Sequence, residues 1–441
     1  MKSLVDAIRR TETVARVGRV VSVRGATIEA AGPAARVGEV CSIEMAGAEM
    51  PAFAEVVGFG DGRSVLMPYG DAGGIAVGSR IVAMGSTGEV PVGPGLLGRV
   101  VDAFARPVDD RGPIVSTARR PLKPAPVGAL QRARVEAPMA TGVKAIDSLL
   151  SLAKGQRIGL FAGSGVGKSS LLGMLARGAF APVNVIALIG ERSREVREFI
   201  EDQLGPEGLK RSVVVVATSA ESAIVRLRAA YTATAIAEHF RDQGQDVLLT
   251  MDSLTRFAMA RREVGLAAGE PPTARGYTPS VFSEIPQLCE RCGPAAASGS
   301  ITAIYTVLVE GDDLNEPVSD TVRGTLDGHI VLSRDLAHAG HYPAIDVLKS
   351  ISRLHGAISD PAHLAAARSF GAALSLYERN RQLVEIGAYR PGANPALDRV
   401  VDAMPRIEAF LTQRLAERVE RPAAIEQLRQ LVATLEVPHG H

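Results

Sequence analysis

The spacing of apolar and polar residues changes along this chain, and each change marks a different kind of predicted structure. Residues 1–13 form the first segment, in which Leu4, Val5 and Ile8 stand at helical spacing among polar neighbours. A helix this short is not stable alone in water. We therefore expect an N-terminal docking arm or a frayed end.

Residues 14–87 show short β-branched runs separated by Gly, Pro or Asp. Such runs are typical of antiparallel strands, and their close spacing predicts a small β-barrel domain. The predicted strands flank Arg24 and Gly25 and then follow at Val40–Met45, Phe53–Val57, Ser64–Met67 and Arg80–Met84.

Residues 88–353 form the largest segment. Its first part, up to Ala140, is rich in Gly and Pro, and Pro121–Val127 favours an extended connector. Beyond Ala140, continuous apolar runs alternate with helical patterns, which predicts an α/β domain whose parallel sheet is covered on both faces. The predicted strands are Arg157–Ala162, Val183–Gly190, Ser212–Ala217, Asp246–Asp252 and Ile301–Val309, and the clearest helices are Lys168–Arg177 and Glu221–Gln243.

Residues 354–441 carry almost no strand pattern and are predicted to form a helical C-terminal domain. Helical apolar spacing runs through Ala362–Glu385, Asp398–Arg418 and Ala423–Leu435. Pro405 is expected to break or kink the middle helix, because proline has no N–H and its ring clashes with the preceding turn.

The composition narrows the classes of function. Lysines and arginines total 49, and aspartates and glutamates total 48. This balance gives no reason to expect nucleic acid or an anionic membrane as the main partner. Residues 1–10 contain no apolar h-region, so we expect no signal peptide, and no window contains the ~18 uncharged apolar residues of a membrane span. We therefore expect a cytoplasmic protein.

Three cysteines are too few for a disulfide framework. Cys289 and Cys292 form a C-x-x-C pair, which redox and zinc sites use. Zinc would need two further ligands at similar spacing, and none is nearby. Reduced thiols are therefore the favoured interpretation.

A glycine-rich loop, AGSGVGKS at residues 162–169, stands between a predicted strand and a predicted helix. Its glycines let the backbone curl so that N–H groups converge on phosphate oxygens, and the helix N-terminus adds positive potential. Lys168 is expected to reach the β- and γ-phosphates and Ser169 to ligate Mg²⁺. The loop thus predicts ATP binding through Ala162, Gly163, Ser164, Gly165, Val166, Gly167, Lys168, Ser169 and Ser170, with Ala162 as the one mild departure from the motif.

Two acidic residues follow other predicted strands. Asp252 ends an apolar strand downstream of the loop, where its carboxylate can hold Mg²⁺ directly or through water. Glu191 follows the second strand, where a carboxylate can orient or deprotonate the attacking water. By charge pattern alone, the segment around Glu191 fits a solvated helix start better. Arg353 could act as an arginine finger, although spacing alone does not distinguish it from other arginines.

Residues 343–352, PAIDVLKSIS, fit a signature of Pro, small, aliphatic, Asp, three residues and Ser-x-Ser. With Gly190–Arg192 and Asp252, they make the chain resemble the rotary-ATPase α/β-subunit family from about Val14 to Gln413. This resemblance implies a RecA-like P-loop core. Within the family the chain is similar to the flagellum-specific branch of type III export ATPases, on residues 161–169, 190–199, 299–313, 327–334, 341–353, 387–398 and 407–413.

The resemblance also implies a role for each site residue. Glu191 matches the catalytic glutamate, and Asp252 matches the carboxylate that holds Mg²⁺. Arg353 matches the finger that reaches the nucleotide of a neighbouring subunit. The remaining matches are Lys168 and Ser169 as the P-loop pair, Arg192 near the γ-phosphate, Arg256 beside the phosphates, Tyr342 stacked on adenine and Phe410 as a second adenine contact.

The presence of Glu191 and Arg353 in one chain sets the expected assembly. Identical copies could complete every site at their own interfaces, and a closed head-to-tail interface gives a ring, for which the family implies a homo-hexamer. The acidic helix-turn motif of catalytic rotary subunits is missing, which argues against an ATP-synthase β subunit. The resemblance implies ATP hydrolysis that promotes chaperone release and delivery of export substrates.

The same resemblance implies four partners besides the other copies of the chain. They are a regulator on the N-terminal arm, a coiled-coil stalk protein in the pore, chaperone–cargo complexes and the membrane export gate. The chain would then be peripheral at the inner face of the cell membrane through these partners.

Three alternatives stay open at this point. A virulence type III secretion ATPase shares these motifs, although Asn315–Pro317 and the helical C-terminus favour the flagellar branch. A subunit of a rotary hetero-hexamer is the second alternative. A nucleic-acid-dependent ring ATPase is the third, but residues 1–87 hold nine Lys or Arg, nine Asp or Glu and few aromatics, unlike a platform for single strands.

Overall fold

A computed structural model describes residues 14–435, apart from residues 46, 49, 86, 87, 126, 129, 131, 180, 296–298, 310 and 312. The predicted arm at residues 1–13 lies outside the described residues and stays a prediction.

The first described domain is a closed antiparallel barrel with the strand order β1-β2-β5-β4-β3-β6. Alternate side chains, such as those of Ile28, Cys41 and Ile81, are fully buried in its interior. The barrel expected from the short β-branched runs is confirmed. Strands β1–β6 comprise Val17–Arg24, Thr27–Ala31, Val40–Ile43, Ala52–Gly60, Arg63–Pro68 and Arg80–Ala83.

The Gly- and Pro-rich connection that follows contains strands that the sequence did not predict. Strands β7 (Glu89–Val92) and β9 (Ala118–Pro121) pair with each other in antiparallel fashion. Strand β8 (Arg99–Val101) adds in parallel to one edge of the main sheet.

The main sheet has nine strands, eight of them in the order β19-β18-β12-β17-β15-β13-β14-β8, with β16 paired to β17. The strands β12, β17, β15, β13 and β14 run parallel to one another. Strands β10–β19 comprise Pro138–Met139, Leu152–Ala153, Arg157–Ala162, Val183–Ile189, Ser212–Ala217, Asp246–Asp252, Gly293–Pro294, Ser300–Leu308, Gly328–Val331 and Ile351–Ser352.

Both faces of this sheet are buried, which explains why its strands read as continuous apolar runs. Val185 of β13 packs into the cluster on one face, and its neighbour Ile186 packs into the cluster on the other. Helices α1–α10 comprise Lys144–Leu149, Lys168–Gly178, Ser193–Glu198, Gly205–Lys210, Ala223–Asp242, Leu254–Ala267, Pro279–Cys289, Pro317–Thr325, Arg334–His338 and His355–Ile358, and a π-helical segment, Phe199–Leu204, joins α3 to α4.

The C-terminal part consists of helices α11 (Pro361–Glu385), α12 (Pro395–Leu411) and α13 (Arg421–Ala433). Their apolar residues join the same cluster as helix α2, so this part packs on the face of the sheet that carries helix α2.

Helix α12 runs through Pro405, so of the two expected effects the break is wrong, and the kink stays a prediction. Val400, five residues before Pro405, and Ile407, two residues after it, are fully buried. We attribute the intact helix to this packing, which outweighs the single backbone hydrogen bond that proline removes. The helix ends at Leu411, because Thr412 is extended.

Candidate active site

The predicted site residues meet at the carboxyl edge of the sheet. The glycine-rich loop leaves β12, Asp252 is the last residue of β15, and Glu191 stands two residues beyond β13. Strand β17 lies between β12 and β15, and β13 pairs with the other side of β15. Ligands of open α/β sheets bind at this edge.

The loop has the backbone that its glycines allow. Gly165 and Gly167 adopt positive φ angles of 77° and 89°, which other residues rarely adopt. A Cβ atom on Gly167 would lie 3.2 Å from the ring of Tyr342, so this position also needs a residue without a side chain. The side chain of Val166 is buried in the hydrophobic core, so only its backbone can serve a ligand.

Lys168 lies between the two carboxylates that the sequence singled out. Its Nζ is 2.6 Å from Oδ1 of Asp252 and 3.5 Å from Oε1 of Glu191. The side chains are 13%, 5% and 12% exposed for Lys168, Asp252 and Glu191, so this charge cluster is shielded from water. Thr306 also donates a hydrogen bond of 2.7 Å to Oδ1 of Asp252.

Burial and mutual charge shift the pKa values of this cluster. Burial disfavours the charged form of Lys168, but the carboxylates of Asp252 and Glu191 outweigh it and raise the pKa of Lys168. Burial also raises the pKa of Glu191, the negative charge of Asp252 adds to that shift, and Lys168 opposes it. A carboxyl group whose pKa is raised is a better proton acceptor than an ordinary surface glutamate.

A cavity of ≈ 780 Å³ opens in front of the loop. Its described lining holds six cationic and three acidic side chains, an excess of positive charge that suits a polyphosphate. The cations are Lys168, Arg192, Arg256, Arg262, Arg275 and Arg334, and the acids are Glu191, Glu195 and Glu316.

Arg256 lines this cavity and lies next to Gly190, just beyond the end of β13. A Cβ atom on Gly190 would lie 3.1 Å from Cβ of Arg256, so the arginine packs across the backbone just before Glu191. Arg192 lines the same cavity, but its side chain is 79% exposed and pairs with Glu195 at 3.5 Å.

A second cavity of ≈ 820 Å³ adjoins the loop at Gly167 and Ser170. Its walls include Leu171, Met174 and the half-exposed ring of Tyr342. Pockets with mainly apolar walls and a few polar groups suit a planar ligand such as a nucleobase.

Two predicted residues are not brought into these cavities. Phe410 is 6% exposed and packs on Phe370, with ring centroids 5.7 Å apart, inside the hydrophobic core. Arg353 is exposed, and its guanidinium donates to the carbonyl oxygen of Arg323 at 3.2 Å. It is absent from the described lining of both cavities.

Several lining residues were missed by sequence reasoning. Arg262 lies on helix α6, and Arg275 and Tyr277 lie on the loop that follows it. No motif marks these positions, because they reach the cavity only through the packing of α6 against the sheet. Arg275 pairs with Asp313 at 3.0 Å, which ties two loops of the rim together.

The three cysteines are all buried and free. Cys292 lies 3.2 Å from the hydroxyl of Tyr305, and burial raises its pKa to about 11. Within the described ranges, no group of three or more His, Cys, Asp and Glu residues could hold a metal ion. Among the helices in the described part of the chain, none combines the length and the apolar composition that crossing a membrane requires.

Three family models match consecutive parts of the chain. The nucleotide-binding domain of the ATP synthase alpha/beta family matches residues 142–352, and the β-barrel domain of that family matches residues 20–85. The T3SS EscN ATPase C-terminal domain matches residues 359–430.

Curated relatives are similar over nearly the whole chain. The flagellum-specific ATP synthase of Bacillus subtilis (strain 168) is 53% identical over 97% of this chain and 96% of its own length. The type 3 secretion system ATPase of Xanthomonas euvesicatoria is 50% identical over 90% of each chain.

Solved structures agree with these matches. The assembled ATPase EscN from the type III secretion system of enteropathogenic E. coli superposes with a TM-score of 0.89, at 43% identity, and covers 94% of this chain and 100% of that one. The fold, the family and the ATPase class expected from the sequence are confirmed. The chain belongs to the ATP synthase alpha/beta family, in the branch that contains the flagellum-specific and type 3 secretion system ATPases.

Proposed function

We propose that this chain hydrolyses ATP in the cavity in front of the glycine-rich loop and that hydrolysis serves type III protein export in a flagellar system. The observation that carries the proposal is the contact of Lys168 with both Asp252 and Glu191 beside a cavity of excess positive charge. This arrangement brings together the cation that we propose binds phosphate, the carboxylate that we propose binds Mg²⁺ and the candidate base.

The nucleotide would occupy both adjoining cavities, with its phosphates in the first and its base in the second. The phosphates would lie against the backbone N–H groups of residues 162–170, with Lys168 and Arg256 neutralising their charge. The base would enter the second cavity and lie against the ring of Tyr342, which lines that cavity together with Gly167 of the loop. Phe410 is no longer proposed as a base contact, because its ring is committed to the core.

The residues present fit a magnesium ion. Ser169 is exposed in the cavity lining, and the carboxylate of Asp252 contacts Lys168, the residue that precedes Ser169 in the loop. Hydroxyl and carboxylate oxygens are ligands that Mg²⁺ prefers. When bound with ATP, Mg²⁺ would neutralise part of the phosphate charge.

Glu191 would accept the proton of the attacking water. The water oxygen bonds to the γ-phosphorus, the bond to the β–γ bridging oxygen breaks, and ADP and phosphate leave. The raised pKa of Glu191 favours this proton transfer. Lys168 and Arg256 then hold the charge that develops on the phosphoryl oxygens, and Arg192 lies on the same cavity wall.

Arg353 would complete the site of a neighbouring copy. Its side chain lies on the surface and outside the described lining of its own cavities. A finger that lies outside its own site suits a head-to-tail ring of identical chains, and we propose a homo-hexamer. EscN has been solved as an assembled ATPase, and also in complex with its central stalk EscO.

The same proposal extends to partners and location. We infer a coiled-coil stalk protein in the pore, a regulator on the arm at residues 1–13, and chaperone–cargo complexes as clients. The membrane export gate would receive the cargo, so the chain would act in the cytoplasm at the inner face of the membrane through these partners. Nucleic acid is not a proposed partner.

The test is specific ATPase activity as a function of protein concentration, for the wild type and for Arg353→Ala. We expect wild-type specific activity to rise with concentration as rings form, and Arg353→Ala to lose about 10³-fold or more, as arginine fingers commonly contribute. Lys168→Ala is the matched control for a site that cannot hold phosphate. Specific activity that is independent of concentration would contradict the shared site.

A virulence secretion ATPase is the second candidate, because the C-terminal domain matches the T3SS EscN domain and a virulence relative is 50% identical. Complementation separates the two. Restored swimming in a strain that lacks its own flagellar export ATPase would support the flagellar assignment, and restored secretion of virulence effectors alone would support the other.

A further inference from the structure

Thr306 lies in the middle of the sheet and makes a contact that the proposed mechanism does not yet use. It belongs to β17, between the strand that enters the glycine-rich loop and the strand that ends at Asp252. The parallel register pairs Tyr305 with Met251, so the next residue on each strand is Thr306 and Asp252. Both side chains are therefore on one face, and the hydroxyl is 2.7 Å from Oδ1 of Asp252.

This hydroxyl is fully buried, and Asp252 is 3% exposed. The Thr306 hydroxyl has one proton to donate, and its other near acceptor, the carbonyl oxygen of Met251, is farther away at 3.3 Å. A hydrogen bond to an ionised carboxylate is stronger than one to a neutral carbonyl. The Thr306 hydroxyl therefore donates its hydrogen bond to the Asp252 carboxylate.

The contact determines which carboxylate oxygen of Asp252 accepts hydrogen bonds from the protein and which does not. Oδ1 receives both Lys168, at 2.6 Å, and Thr306, at 2.7 Å. Within the described residues, Oδ2 receives no hydrogen bond from protein. Two donors on Oδ1 favour one orientation of the carboxylate and leave Oδ2 available to a ligand.

We propose that Thr306 is a positioning residue that orients the Asp252 carboxylate for the divalent cation of the nucleotide. The inference rests on the proposed role of Asp252 as a magnesium-binding group. Partners of metal-binding carboxylates typically contribute 10–100-fold to metal affinity or activity, about what we expect here.

Thr306→Val tests this with little change in volume, and Thr306→Ser restores the donor. Thr250→Val is the matched control, because Thr250 is a buried threonine on β15 whose hydroxyl has no hydrogen-bond partner among the described residues. The readout is the affinity for ADP by calorimetry, with Mg²⁺ and again with EDTA. Their ratio measures the Mg²⁺-linked part of binding.

We expect Thr306→Val to lower this ratio about tenfold or more while affinity in EDTA stays unchanged. Thr306→Ser and Thr250→Val should keep the wild-type ratio within about twofold, because neither removes a hydrogen bond to Asp252. A wild-type ratio in Thr306→Val overturns the inference, and so does a loss that Thr306→Ser shares. Thr306→Cys, with a weak donor of similar size, replaces the valine variant if that one does not fold.

The variant Asp252→Asn separates a failure of the proposed magnesium role of Asp252 from a failure of the inference about Thr306. If it retains the Mg²⁺-linked gain, the proposed magnesium role of Asp252 fails, whatever Thr306 does. If Asp252→Asn loses the gain and Thr306→Val keeps it, only the inference about Thr306 fails.

Discussion

Mixing two inactive variants should restore ATPase activity if the active site is shared between copies. Glu191→Gln removes the candidate base but keeps Arg353, and Arg353→Ala removes the finger but keeps the base. Loss of a general base costs about 10²–10⁴-fold, and loss of an arginine finger costs about 10³–10⁵-fold, so each variant alone should retain about 1% of wild-type activity or less.

The expected recovery follows from the position of Arg353, which lies on the surface and outside the described lining of its own cavity. In a randomly mixed ring, a site works when its own chain carries Glu191 and the adjacent chain supplies Arg353. Each condition holds for half of an equal mixture, so about one quarter of the sites should be active if sites act independently.

The assay combines the two proteins at low concentration, lets rings assemble at high concentration and measures phosphate release. Mixing Glu191→Gln with Lys168→Ala is the control, because both variants lack the same half of the site and should stay inactive. Activity of the test mixture that stays at the level of its parents would refute a finger supplied by a neighbour.

Three further predictions concern the loop, an ion pair and the thiols. Gly167→Ala should lower the free energy of unfolding by about 1–2 kcal/mol, because φ is 89° and the ring of Tyr342 is near; an unchanged melting temperature would contradict this. The hydrogen bond from Arg99, with help from backbone N–H groups, holds the pKa of Asp109 at about 2. Asp109→Asn should therefore cost about 2 kcal/mol at neutral pH and progressively less as the pH falls through 4 toward 2, and a cost independent of pH in denaturant titrations would refute it. Burial and a pKa of about 11 should keep Cys292 unreactive toward an aromatic disulfide reagent until the chain unfolds, and rapid labelling of native protein would argue against that burial.

Much of the fold follows from periodicity alone. The strands Arg157–Ala162 and Asp246–Asp252 could be predicted to the residue, because both faces of the sheet are covered and their apolar runs are continuous. Strand β8 could not, because three residues in a Gly-rich stretch carry no period and are ordered only by pairing with β14. The break expected at Pro405 is absent for a related reason, because the packing of helix α12 outweighs the local effect of proline.

The site residues also fall into those that the sequence predicts and those that it does not. Lys168, Asp252 and Glu191 could be found because each follows a strand or a glycine motif that directs it to one edge of the sheet. Arg275 carries no such signal, since only tertiary packing brings its loop to the cavity rim. Phe410 was expected to contact adenine because of its position in the family motif, but its ring packs on Phe370 in the hydrophobic core.

Glu191 is proposed to act in the hydrolysis of ATP and not in its binding, which the glycine-rich loop would achieve without it. The direct measurement is the affinity for ATP with Mg²⁺ and the single-turnover rate of hydrolysis in Glu191→Gln beside the wild type. We predict affinity at least as tight as that of the wild type and hydrolysis slowed by about 10²–10⁴-fold. Hydrolysis within a few fold of the wild-type rate would contradict the assignment of Glu191 as the base.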